Sequence, residues 1–167
     1  MTAKIASGEW DGILITHSSF ERIGMSRPYQ EAFLSEQIKE YDQLLIDGAS
    51  RDATRAHRNL IKTIEKQKAK REERLKDLLA EDKKDDGLVF DELGVDHVFI
   101  DESHYFKNLE TPTKMERVAG IQTGGSERAF DLYMKARYLD QRHSAHGVTF
   151  ATGTRIRNCA KISCRID

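Results

Sequence analysis

The order of apolar and polar residues divides the chain into three stretches. The first holds a short apolar run, Gly12-Ile13-Leu14-Ile15-Thr16, rich in β-branched residues and without alternation. That pattern predicts a strand buried on both faces, as in a parallel sheet. His17-Ser18-Ser19-Phe20 would then sit at its carboxyl end.

The second stretch, residues 26–86, has a helical period. Ser26 is a candidate cap with Pro28 in the first turn. Phe33, Leu34, Ile38, Tyr41, Leu44 and Leu45 recur at helical spacing, and Gly48 is a stop signal. A second helix is expected from near Ser50 towards Glu81. Its positions Ile61, Ile64, Lys68, Arg71, Leu75 and Leu78 alternate in steps of three and four, a heptad seam with two basic members. From Lys62 to Asp86 the chain carries 9 basic and 8 acidic residues, so much of this helix must face water. The two helices read as an antiparallel hairpin projecting from a body, followed by the loop Lys83-Lys84-Asp85-Asp86-Gly87.

The third stretch returns to mixed character. Val95 to Ile100 predicts a strand ending at Asp101, and a loop with Asn108, Pro112, Gly120, Gly124 and Gly125 follows. Ser126 caps a helix with one apolar face formed by Ala129, Leu132, Tyr133, Ala136 and Leu139. His146-Gly147 breaks it. Val148 to Thr152 predicts a third buried strand. Strands alternating with helices imply a doubly wound parallel sheet. The expected organisation is therefore an α/β body from residues 1–25 and 87–167, interrupted by a helical hairpin at 26–86.

Composition narrows the class. The 167 residues include 27 Lys and Arg against 28 Asp and Glu, a net charge of -1, which excludes a histone-like polycation. No apolar run is long enough to span a membrane, and no leader pattern opens the chain. Cys159 and Cys164 are the only cysteines, so a disulfide framework is excluded and a cytoplasmic location is expected.

Candidate chemistry falls at the strand ends, where open α/β sheets bind ligands. Three polar clusters lie there: His17-Ser18-Ser19, Asp101-Glu102-Ser103-His104 and Thr152-Gly153-Thr154. Two adjacent carboxylates at the end of an apolar strand suit phosphoryl transfer to water. One holds Mg2+ through water while the other orients the attacking water. The competing reading makes Asp101 a turn cap and Glu102 a solvated side chain.

Val98-Phe99-Ile100-Asp101-Glu102-Ser103-His104 resembles motif II, the DEAH-type Walker B box, of superfamily-two helicases and Swi/Snf-like translocases. Tyr105-Phe106-Lys107-Asn108-Leu109 is similar to the extension of that motif in the Swi/Snf-like branch. Phe150-Ala151-Thr152-Gly153-Thr154 resembles motif III, and Ile13 to Glu21 is similar to the strand and turn that precede motif II. The motifs stand in the family's order. The chain is also similar to the large helicase-methyltransferase proteins of phages and mobile elements, described as antirestriction or DNA methylase proteins.

This resemblance implies a partial RecA-like parallel sheet of the P-loop NTPase type with an inserted helical hairpin. It implies a nucleic-acid-dependent ATPase that uses ATP and Mg2+, acts on DNA and works with a second RecA-like lobe. Asp101 would bind Mg2+ through water, Glu102 would activate the hydrolytic water, and His104 would couple the nucleotide site to motif III or the second lobe. Thr152, Gly153 and Thr154 would form the coupling turn, and His17, Ser18 and Ser19 would lie near the nucleic-acid backbone. The phosphate-gripping GxxxxGK[ST] is absent from the sequence, so the chain alone is expected to be inactive. Arg155-Ile156-Arg157-Asn158 departs from the family's continuation after motif III. The alternative is a non-catalytic interaction module that keeps the motor fold and presents its helical arm to a protein partner.

Other groupings weigh less. His97, Asp101 and His104 lack the spacing of common zinc motifs. His143 and His146 suit a helix end. Gly124-Gly125-Ser126 has no following Lys and reads as loop and cap, Cys159 and Cys164 lack a second pair, and Trp10 is expected to pack.

Overall fold

The structure is a computed structural model and describes residues 10–49, 55–80, 87–110, 125–143 and 146–153. Among these, one compact unit takes in residues 10–26, 87–110, 125–143 and 146–153, and a second takes in 27–49 and 55–80.

The second unit is a helical hairpin of α2 (Arg27–Ala49) and α3 (Arg55–Ala80). Helix α2 starts directly after Ser26 with Pro28 at its second position, where a missing amide hydrogen costs nothing. The helices run antiparallel. Arg27 at the start of α2 donates to the carbonyl of Leu79 at the end of α3 (3.0 Å). Lys68 of α3 pairs with Asp42 of α2 at 2.7 Å and with Glu72 on its own helix at 3.3 Å. Phe33, Leu34 and Tyr41 are buried on α2, and Ile64 and Arg71 on α3. The basic seam positions thus have different fates: Lys68 reaches an acid at the rim, whereas Arg71 is buried. The second helix is expected from near Ser50; residues 50–54, and the loop expected at 83–86, lie outside the described residues.

The first unit is α/β. It holds a one-turn helix α1 (His17–Phe20), a 3-10 turn at Phe90–Glu92, strand β1 (Val98–Ile100), a second 3-10 turn at Ser103–Phe106, helix α4 (Glu127–His143) and strand β2 (Val148–Phe150). The strands pair parallel with Val98 opposite Val148, Phe99 opposite Thr149 and Ile100 opposite Phe150. Helix α4 is the core element. The predicted face of Ala129, Leu132, Tyr133, Ala136 and Leu139 is buried, and so are Phe130, Met134 and Lys135. Gly147 is required where the chain leaves α4, because a Cβ there would stand 2.5 Å from the Leu139 Cβ.

Four expectations are corrected. Residues 12–16 form no strand, and Ile13 and Leu14 are exposed, Leu14 almost completely. A strand exists only by pairing, and no ladder hydrogen bond reaches this run among the described residues. Thr16 instead caps α1, accepting from the Ser19 amide (3.3 Å), so a local helix-start signal prevails over β-propensity. Nor are the strands buried on both faces. Ile100 is buried, but Phe99 is 78% exposed and its partner Thr149 is exposed. Both strands are also shorter than expected, and among the described residues they make a two-stranded sheet. Trp10, expected to pack, is more than half exposed.

Among the described residues no helix is long and apolar enough to cross a membrane.

Candidate functional site

Strand β1 ends at Ile100 and the chain turns at once. The Glu102 amide donates to Asp101 Oδ1 at 2.8 Å. Glu102 itself takes the left-handed backbone conformation, with φ 49° and ψ 44°. For a residue with a Cβ that conformation costs about 1–2 kcal/mol. Such outliers gather where the surrounding structure imposes a shape.

Here the neighbouring strand imposes it. The Ala151 amide donates to the Ile100 carbonyl (2.8 Å), and the Ser103 amide donates to the Ala151 carbonyl (2.9 Å). Main-chain pairing therefore continues past both strands and sets their ends side by side. Ser103 is buried beneath this turn, where a small side chain fits.

The side chains follow the backbone. Glu102 Oε2 stands 2.9 Å from His104 Nδ1, a close polar contact rather than an aligned hydrogen bond. Thr152 Oγ1 approaches the same ring nitrogen at 3.5 Å. Asp101 is exposed, and its second carboxylate oxygen has no partner among the described residues. His104 stacks on Tyr105 with centroids 4.6 Å apart. The His17 ring meets Tyr105 edge-on at 5.7 Å and Phe106 at 5.2 Å.

Two of the three polar clusters thus meet directly, through His104 and Thr152, and the third joins through His17. Ser18 and Ser19 lie in α1, but their hydroxyls turn back to Thr16, at 3.2 Å and 2.9 Å. Gly153 is exposed just beyond Thr152. Thr154, Cys159, Cys164 and Gly124 lie outside the described residues. His97 belongs to the exposed sheet face instead. Its ring lies 4.4 Å from that of Phe99, and Nε2 is 2.9 Å from Thr149 Oγ1. His143 ends α4 as expected and stands 3.8 Å from Asp96. Among the described residues no group of three or more His, Cys, Asp or Glu is arranged to hold a metal by itself.

One residue behind this edge escaped the sequence reading. Lys135 is 1% exposed. Burial pushes its ammonium below the ordinary lysine range, against the opposing pull of Asp131. Its only sequence signal was the Asp131–Lys135 pair at i, i+4, the usual mark of a solvated helix face.

With 27 Lys and Arg against 28 Asp and Glu in the whole sequence, net charge alone does not attract a polyanion.

At this edge a carboxylate pair follows a parallel strand, and a histidine lies between that pair and the end of the next strand. The family model described as "Probable helicase domain" matches residues 1–162, and the chain belongs to that family. No curated protein and no solved structure matches it.

Proposed function

We propose that this chain supplies the water-activating edge of a nucleic-acid-dependent ATPase, a DNA helicase or translocase of the Swi/Snf-like kind. On this reading its first unit is part of a RecA-like motor lobe and the hairpin is an insertion. The proteins it serves are of the helicase-methyltransferase type found in phages and mobile elements, and the work is cytoplasmic. The observation that supports it most is the meeting of Asp101, Glu102, His104 and Thr152 at one edge of the β1–β2 pair, in the order in which the motifs run.

ATP and Mg2+ fit the donors present. Mg2+ binds one or two carboxylates and completes its shell with water and phosphate oxygens, so a dedicated protein cage is unnecessary. Asp101, exposed and with one carboxylate oxygen unengaged among the described residues, would hold the hydrated ion. The bound ion supplies charge neutralisation for the phosphates. Glu102 would accept a proton from water. His104 would pass the state of that carboxylate to Thr152 and Gly153. His17 would stand on the nucleic-acid side with Ser18 and Ser19. The sequence has no GxxxxGK[ST], so the phosphate grip and the second RecA-like lobe must come from elsewhere.

The test is DNA-stimulated phosphate release. The chain alone should show none. Together with a P-loop-bearing segment and a second lobe it should turn over, and Glu102→Gln should stop it. Turnover by the chain alone, or an unaffected Glu102→Gln assembly, would refute this reading. A second reading, a non-catalytic module whose hairpin binds a protein, draws on the near-balanced charge of the chain, which gives no strong attraction for nucleic acid. It is favoured if the assembly hydrolyses nothing.

A further inference from the structure

We infer that Lys135 is the positioning residue for α1, setting where the His17–Ser19 turn stands beside the Asp101–His104 box. The inference rests on the reading of that box as the working edge.

Helix α1 cannot hold its own place. A single turn fixes several dihedrals for very few hydrogen bonds and does not persist unaided in water. Thr16 caps its amino end. Its carboxyl end is held by α4. Lys135 Nζ donates to the Phe20 carbonyl at 3.0 Å and lies 4.3 Å from the centroid of the Phe20 ring. Arg128, two turns earlier on α4, pairs with Glu21 at 2.7 Å. Two cations from one helix thus meet the negative end of α1, the favourable sense for its dipole.

The choice of lysine is informative. A hydrocarbon of the same volume avoids the desolvation of an ammonium and is often no less stabilising. Lys135 offsets that cost through Asp131 at 2.6 Å, the Phe20 carbonyl and the faces of Phe20 and Phe90. What it adds over an apolar residue is direction. Its bond goes to one main-chain carbonyl, 115 residues away in sequence. That bond fixes the height of α1, and the far end of α1 places the His17 ring against Tyr105 and Phe106. A helix that packs behind the sheet thereby sets the geometry at its edge.

The experiment compares the 167-residue chain with Lys135→Met and Lys135→Arg. It reads the imidazole NMR signals of His17 and His97 and the amide exchange of Ser19, Phe20 and Glu21. The His17 signals should carry ring-current shifts from Tyr105 and Phe106. In Lys135→Met they should move to the position of an exposed histidine, while His97 and the β1–β2 amides stay unchanged. The α1 amides should exchange about tenfold faster. Lys135→Arg should restore part of both effects. Unmoved His17 signals and unchanged α1 exchange would overturn the inference. So would a uniform change that includes His97, since that marks general loosening. If Lys135→Met does not fold, Lys135→Gln, shorter and uncharged but still a donor, is judged by the same two signals. Failure of DNA-stimulated hydrolysis in the assembled motor would refute the functional reading and leave these NMR differences as they are.

Discussion

Glu102 and His104 face each other across their own turn, with Oε2 2.9 Å from Nδ1, and Thr152 Oγ1 stands 3.5 Å from that same nitrogen. One ring nitrogen therefore lies between the carboxylate that follows β1 and the hydroxyl that follows β2. A single ring nitrogen makes one short, aligned bond at a time. On the function proposed above, this shared nitrogen is where the two strand ends would be coupled.

The first prediction concerns the carboxylate. In the assembled motor, Glu102→Gln keeps the size of the side chain and removes its basicity. DNA-stimulated hydrolysis should fall by about 10²–10⁴-fold, the usual contribution of a positioned general base. Nucleotide binding should hold, because Asp101 and the phosphate grip are untouched. Paired measurements of phosphate release and nucleotide affinity check both halves.

The second prediction separates stability from chemistry at the same residue. Glu102 sits at φ 49°, where glycine alone has no Cβ penalty. Glu102→Gly should therefore be at least as stable as the parent, although on the proposed function it would support no hydrolysis. Glu102→Val, β-branched and worse suited to a left-handed turn, should lose about 1–2 kcal/mol. Denaturant unfolding of the two variants decides this. A valine variant as stable as the glycine one would mean the turn relaxes at no cost.

Much of this arrangement is legible in the sequence because its signals are local. Helix α2 follows from Ser26, Pro28 and the spacing of Phe33, Leu34 and Tyr41. Helix α4 follows from Ser126 and the face Ala129 to Leu139, and β1 and β2 from short β-branched runs ending in polar clusters. Residues 12–16 show the limit. Ile13, Leu14 and Ile15 have the composition of a strand, yet pairing depends on a neighbour that composition cannot specify, while Thr16 and Ser19 form a cap within four residues. Lys135 shows another limit. Its partner Asp131 is local, but Phe20, the partner that explains its burial, lies 115 residues away.

The third prediction uses two lysines among the described residues whose titration the structure shifts in opposite senses. Burial lowers Lys135 from its ordinary value of 10.5. Between the lowered folded value and 10.5 the unfolded chain binds more protons, so stability contributed at this site rises with pH through that window. Lys68 is raised, first by its hydrogen bond to Asp42 and then by that to Glu72. Its contribution is complete below 10.5 and is lost as pH climbs through the raised folded value. Difference melting curves follow: parent minus Lys135→Met should climb with pH towards 10.5. Parent minus Lys68→Met should stay flat to 10.5 and then fall. A Lys135 difference that declines with pH over its window would reverse the assigned cause.

The last prediction concerns the hairpin. The chain departs from the first unit after Ser26 and has returned by Gly87, and the two crossing points are tied together. The Phe90 amide donates to the Gly24 carbonyl at 2.8 Å, and the Ser26 amide donates to Asp91 Oδ1 at 2.8 Å. Asp91 is held in turn, its carbonyl accepting from the Tyr138 hydroxyl of α4 at 2.9 Å. Residues 24–26 and 90–91 of the first unit are therefore separated by one short gap. Replacing residues 27–86 by a linker of about six Gly and Ser residues should therefore close that gap without strain, since short connections of that size are ordinary between neighbouring segments. The excised protein should keep the amide signals of β1, β2 and α4 and unfold in one transition. Its stability should lie within about 1–2 kcal/mol of the same unit in the parent, the scale of loop-closure differences. The Phe90 amide should remain protected from exchange, which reports directly on the Gly24 bond. Loss of that protection with the strands intact would mean that the hairpin, and not Asp91 and Gly24, holds the two crossings together. Complete unfolding would mean that the first unit depends on the hairpin for its core.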